Sequence, residues 1–165
     1  MPIIPKAVNH IAYPTFDTAA THRFYTEVLG CKLVAAIRED HVPSTGAQTP
    51  FLHTFFALES GECLAFFEVE GIEPPTDDGL PTWIRHVALS VGSPAELTRV
   101  REQLLSRGVQ VTDEIDHEGT WSSIYFFDPN GIRIELTYQS RDLNDDDATR
   151  AHELINAWLK EHSTD

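Results

Sequence analysis

Apolar and polar residues alternate in short runs around two stretches of helical period, and the chain uses this arrangement twice. In the first half, "VNHIAYPTFDTAATHRFYTEVLGCKLV" opens on an alternating strand. Ala20, Phe24 and Val28 then recur at helical spacing behind Asp17 as the cap, and Gly30 closes the helix. In the second, "IRHVALSVGSPAELTRVREQLLSRGVQV" repeats the plan. Ser93-Pro94-Ala95-Glu96 is a capping box with proline at the first helical position, Leu97, Val100 and Leu104 share one face, and Gly108 closes the helix. After each glycine come three strand-like runs, 31–39, 50–57 and 62–70, then 109–116, 120–127 and 132–138. The pattern predicts an α+β chain of two βαβββ modules.

The boundaries follow from composition. Residues 1–70 form the first module and 83–138 the second, with a linker over 71–82, where "EGIEPPTDDGLP" holds three prolines and two glycines. Residues 40–50, "DHVPSTGAQTP", have no counterpart in the second half and are expected to be a surface loop able to cover a site mouth. The tail 139–165 is acidic and predicts one more helix. Asp145 to Asp147 suit its positive end, and Ala151, Leu154, Ile155, Trp158 and Leu159 form a stripe expected to pack on the body or on a partner chain.

Neighbouring side chains of a strand point to opposite faces, so alternation places the polar groups. In "RHVALSV", Val87, Leu89 and Val91 belong under a helix, leaving His86, Ala88 and Ser90 on the other face. In "GIRIELTY", Ile132, Ile134 and Leu136 are apolar, leaving Arg133, Glu135 and Thr137 opposite. In "NHIAY", His10 and Ala12 share a face opposite Ile11 and Tyr13. Two histidines at equivalent places of a duplicated unit, with one acid on the same kind of face, make a two-His-one-carboxylate set: His10, His86 and Glu135. A buried unpaired glutamate is costly, and a divalent cation relieves that cost. The resulting centre, near +1, would favour an anionic oxygen ligand.

Composition narrows the partners. Twelve basic against 26 acidic residues, a formal charge of −14, disfavour nucleic acid and anionic membranes by repulsion. No apolar run approaches a membrane span, and the opening "MPIIPKAVNH" lacks the apolar core of a secretion signal, so the cytoplasm is the expected location. Cys31 and Cys63 fit neither a disulfide framework nor a zinc motif and are expected to be buried thiols.

Over residues 7 to 138 the chain resembles the vicinal oxygen chelate superfamily, which includes glyoxalase I, extradiol ring-cleavage dioxygenases, epimerases and antibiotic-resistance proteins. The resemblance implies a cup-shaped mixed sheet of paired βαβββ modules around a divalent metal, with His10, His86 and Glu135 as ligands. Within it, "IDHEGTWSSIYFFDPNGIRIE" resembles the extradiol dioxygenase signature through His117, Ile124, Tyr125, Asp128-Pro129-Asn130-Gly131 and Glu135. That implies Fe(II), with Mn, Ni or Zn as alternatives. It also implies His117 and Tyr125 bonded to a catechol-like substrate and oxygen, in a homodimer that pairs modules within or between chains.

The chain departs from that pattern where ring-cleaving relatives carry an acid/base histidine. It reads "ESGECLAFFEVE" there, with Glu62 near the place, and His53 of "FLHTFF" is the substitute if it faces the cup. Two other readings stay open. Glu68, if it faces the cup, matches the first-module glutamate of glyoxalase I and would make a four-ligand isomerase or epimerase. A metal-free protein would instead sequester a small hydrophobic compound among Phe51, Phe55, Phe66 and Trp121.

Overall fold

The computed structural model describes residues 4–74 and 79–162. Of the linker, residues 75–78 lie outside the described residues. The first module runs β1 (His10–Pro14), α1 (Thr18–Arg23) continued by a π-helical turn over Phe24–Val28, β2 (Lys32–Glu39), β3 (Phe51–Ala57) and β4 (Cys63–Val69). The second runs β5 (Val87–Ser90), α2 (Pro94–Ser106), β6 (Ile115–His117), β7 (Trp121–Phe127) and β8 (Arg133–Gln139), followed by α3 (Asp145–His162). Each module closes its own four-stranded sheet, in the orders β1-β4-β3-β2 and β5-β8-β7-β6. In both, the first and last strands of the module pair in parallel and the remaining pairs are antiparallel, so the repeat in sequence is a repeat in topology.

The helix signals work as read. The Asp17 carboxylate accepts from Ala20 N (2.8 Å), and Ser93 Oγ accepts from Glu96 N (3.2 Å) while Glu96 reaches back to Gly92 N (2.7 Å). After Arg23 the first helix widens: Leu29 N bonds to Phe24 O, five residues back. The wider turn brings Phe24 and its neighbour Tyr25 into the core together, at 7 % and 0 % exposure.

A single core joins the modules. Phe56, Leu64 and Phe66 of the first sheet and Val87, Ile124, Phe126, Ile134 and Leu136 of the second meet Phe24, Tyr25, Leu97 and Leu104 of the helices. Each side chain buried there contributes roughly 1.5–3 kcal/mol. The helices thus form a layer between two sheets, and the other face of each sheet points outward.

A polar thread crosses the same layer. Asp128, in the Asp-Pro-Asn-Gly turn, accepts from Asn130 N and Ile132 N (2.8 Å each) through one oxygen, and from Asn130 Nδ2 (2.9 Å) and Tyr25 Oη (3.1 Å) through the other. Asn130 Nδ2 also reaches Thr21 Oγ1 (3.0 Å) on α1. The turn needs Gly131 at φ 79°, and burial holds the Asp128 carboxyl above its ordinary range.

Three expectations are adjusted. The strand predicted over 109–116 is ordered as a strand only from Ile115, because the Thr112 hydroxyl takes the Tyr125 N–H (3.0 Å) that a carbonyl would take in a regular ladder. Cys31 and Cys63 are free but half-buried. The tail helix forms, capped by Asn144 and tied by an Arg141–Asp147 pair at 2.6 and 2.7 Å, yet it buries none of its residues and Trp158 is 63 % exposed. Among the described residues no helix is long and apolar enough to cross a membrane.

The thread sets a stability order. Tyr25→Phe should cost about 1 kcal/mol, whereas Asp128→Ala, which strands two backbone N–H groups and the phenol, should cost about 2–4 kcal/mol in urea unfolding at fixed protein concentration. Equal losses for the two variants would show that Asp128 does not tie the turn to α1.

Candidate metal centre

The outward face of the second sheet collects the polar groups of three strands. The register sets Tyr125 opposite Glu135, Ser123 opposite Thr137, Phe127 opposite Arg133, and Ala88 beside Glu135. Glu135 is 7 % exposed, an acid with little water to solvate it. Its Oε1 accepts from Ser123 Oγ at 2.5 Å, and Ser123 also stands 2.8 Å from the Thr137 hydroxyl. Its other oxygen lies 2.9 Å from His86 Nε2. His86 and Glu135 are therefore brought together, as the alternation predicts.

The imidazole orientations carry chemical information. His86 Nδ1 stands 3.2 Å from the Trp83 carbonyl, which can only accept, so Nδ1 bears the hydrogen. In the neutral ring Nε2 then aims a lone pair at the Glu135 carboxylate. Two acceptors facing each other at 2.9 Å repel unless a cation, or a second ring proton, stands between them. A carbonyl behind and a carboxylate in front is the surrounding expected of a metal-binding histidine. His86 and Glu135 can thus supply two donors to a divalent ion.

The first sheet presents a second polar group on its own outward face. His10 Nδ1 lies 2.8 Å from Asn9 Oδ1, again leaving Nε2 free. His53 is 7 % exposed, lies flat on Phe67 (ring centres 3.6 Å apart, planes 6° apart), and has Nδ1 3.1 Å from the Phe66 carbonyl. The His10 and His53 rings are 6.2 Å apart. His53 does face outward with His10, and burial lowers its pKa below the ordinary histidine value, keeping it neutral with a proton-accepting Nε2.

Beside Glu135, His117 Nε2 lies 3.0 Å from Tyr125 Oη. Burial and the charge of Glu135 push the phenol above its ordinary pKa, so it stays a proton donor. Trp121, Phe51 and Phe55 also lie on outward faces: Trp121 bonds Gln139 and Phe55 touches His10.

Glu68, Phe66 and His10 lie elsewhere than expected. Glu68 is on the helix-covered face of β4, where Oε2 accepts from Thr18 N (2.8 Å) at the start of α1, so it does not point toward the outward histidines. The reason is the register of β4. Leu64, Phe66 and Glu68 face the helix, and Phe66 packs on Tyr25 at 4.8 Å, so Phe66 is core rather than pocket lining. The ligand set is divided as well. No group of three or more His, Cys, Asp or Glu able to hold an ion is found within one chain among the described residues. His10 is on the outward face of the other sheet, across the helical layer from His86 and Glu135.

Sequence reading missed Ser123, which fixes Glu135, and Asn9, which orients His10. Ser123 shares the period-2 face of Tyr125, and that alternation was the available signal.

Among curated proteins no sequence match is found. Solved structures do match. A glyoxylase/bleomycin resistance protein/dioxygenase domain from Frankia sp. EAN1pec is 22% identical, covering 82% of this chain and 99% of that one, with a TM-score of 0.67. The fosfomycin resistance protein FosX of Listeria monocytogenes is 20% identical (83% and 96% covered, TM-score 0.59). Lactoylglutathione lyase of Agrobacterium tumefaciens is also 20% identical (81% and 94% covered, TM-score 0.58). These likenesses are to the fold. The family description itself, Glyoxalase/Bleomycin resistance protein/Dioxygenase superfamily, matches residues 7–136. With its duplicated modules and its outward histidines and acid, the chain belongs to that superfamily.

Proposed function

We propose that the protein is a metal-dependent extradiol-type dioxygenase acting on a catechol-like substrate, with each complete site formed between two copies of the chain. The observation that carries this reading is the His117–Tyr125 pair at 3.0 Å, on the same sheet face as the His86–Glu135 pair. A proton donor and a histidine standing next to an ion suit a substrate that binds through two adjacent oxygens. The bond from Thr18 N to Glu68 on the helix-covered face supports this reading over a four-ligand isomerase.

The sheet edges offer the surface for such a dimer. β1 and β5 are terminal strands of their sheets, each with one unpaired edge, and each begins at or next to a histidine of the proposed set. Laying β1 of one copy beside β5 of the other would bring His10 to His86 and Glu135 and continue the two outward faces into one cup. Twofold symmetry would make two such sites. Exposed Ile11, Trp83 and Ile84 around these edges would gain cover.

Bound there, Fe(II) or a similar ion would supply Lewis acidity and electron transfer between substrate and oxygen. Mn, Ni and Zn accept the same donors. A structure of Listeria FosX contains Mn(II) and sulfate, which supports a divalent ion in this fold. The chain's own residues do the rest. Ser123 holds Glu135 in place, Tyr125 donates to a substrate oxygen, and His53 of the adjoining copy takes a hydroxyl proton at Nε2. Phe55 and Phe67 keep water from that side.

Three outcomes test this. His10→Ala, His86→Ala and Glu135→Ala should each fail to retain stoichiometric metal after anaerobic loading and desalting, read by metal analysis. Mixing His10→Ala with Glu135→Ala subunits should restore one intact site in each hybrid dimer, and with it Fe(II)- and O2-dependent ring-fission absorbance. Full metal retention by the His10→Ala variant would end the shared-site reading. Separately, Tyr125→Phe and His117→Ala should keep the metal but lose about 10²–10⁴-fold in kcat. A hemithioacetal isomerised without oxygen, with catechols untouched, would move the activity to the isomerase branch.

A further inference from the structure

Arg133 is a cation that the proposed chemistry leaves unused. It lies on β8 two residues before Glu135, and its register partner is Phe127, so its side chain leaves the sheet on the face that carries Glu135 and Tyr125. Two residues of strand advance about 6.6 Å, comparable with the width of one substituted aromatic ring. The guanidinium carbon lies 4.3 Å from the centre of the Tyr125 ring. That ring contact is the interaction its side chain makes among the described residues, and no carboxylate there pairs with it.

The ring contact matters because of what a guanidinium can donate. The guanidinium carbon sits over the Tyr125 ring, a contact that holds the charged end of Arg133 on this face, and the group carries five N–H donors in a fixed fork. Arg133 lines a recess of about 440 Å³ together with Tyr125, Phe127, Thr112 and Gln110. A half-buried guanidinium beside a recess of mixed aromatic and polar lining suits a planar oxyanion, which it can take through two parallel hydrogen bonds.

The surrounding charge sharpens the point. The chain carries a formal charge of −14, a field that repels anions in general. An anionic ligand needs a local cation to enter, and Arg133 provides one beside the acid proposed to bind metal.

We propose that Arg133 and the recess beside it form an anion subsite that selects a substrate bearing a carboxylate, or a similar planar oxyanion, across the ring from the two oxygens that reach the metal. The position of those oxygens rests on the metal-site reading above; the anion subsite does not. Arg133 is then a specificity residue. It grips the far end of the ring, sets the reactive end against Glu135 and His86, and discriminates against neutral catechols.

The test is calorimetric titration of wild-type protein, with and without metal, and of metal-loaded Arg133→Gln and Arg133→Lys, with three probes: benzoate, catechol, and a catechol with a ring carboxylate. Metal affinity of each variant serves as the check on folding. Benzoate should bind the wild type and weaken about 10- to 100-fold in Arg133→Gln, the loss expected for a charge-assisted pair, with Arg133→Lys between them because a lysine cannot form the fork. The carboxylated catechol should bind the wild type more tightly than catechol by a similar factor, and that preference should vanish in Arg133→Gln. If benzoate binds wild type and Arg133→Gln alike, or neither, the subsite is refuted whatever the catechols do. If benzoate behaves as expected while neither catechol binding depends on the metal, the subsite stands and the ring-cleavage reading falls.

Discussion

Two sheets that are apolar on one face each share a single helical layer, and the rest of the molecule follows from that constraint. A sheet with Leu64 and Phe66 on one side and His10 and His53 on the other has one way to bury its apolar face without burying its imidazoles. The second sheet meets the same requirement with Ile134 and Leu136 inward and Glu135 outward. Packed on a common layer, the two polar faces must point away from each other. The physics that builds the core therefore separates His10 from His86 and Glu135 within one chain.

The separation also explains why each half-site is ordered by its own neighbours. Glu135 is fixed by Ser123, His86 by the Trp83 carbonyl, His10 by Asn9 and His53 by the Phe66 carbonyl and the Phe67 ring. Every one of these contacts is local to a module, so each half is prepared in advance and joining two copies would need little rearrangement. In all three oriented histidines Nδ1 meets a carbonyl-type oxygen and Nε2 is left outward.

Much of this was legible in the chain because period-2 alternation is a local signal. It placed His86, Arg133, Glu135 and Thr137 correctly, and the capping box before α2 marked that helix to the residue. Alternation says which residues share a face but not which face is covered. "AFFEVE" has aromatic residues on both sides, Phe66 and Phe67, and only the packing of Phe66 on Tyr25 decides that Glu68 turns toward α1. The π-helical turn was likewise hidden, since an extra residue in one turn moves Tyr25 into the core against a 3.6-residue reading. The distance between the half-sites was beyond any pattern, being a property of how two modules stack.

The asymmetry between the duplicated halves gives the arrangement its chemical sense. The first module brings neutral imidazoles and aromatic rings, His10 and His53 with Phe55 and Phe67, while the second brings an acid, a phenol and a guanidinium on one face. Two identical halves would offer an ion either two histidines without a counter-charge or two carboxylates repelling each other. Unlike halves would supply one negative charge for a cation, one proton acceptor and one cation for a ligand. Joined across the proposed twofold axis, they would give the same mixture at both sites from a single sequence. Duplication followed by divergence of the outward faces, with the inward faces kept apolar, is sufficient to produce it.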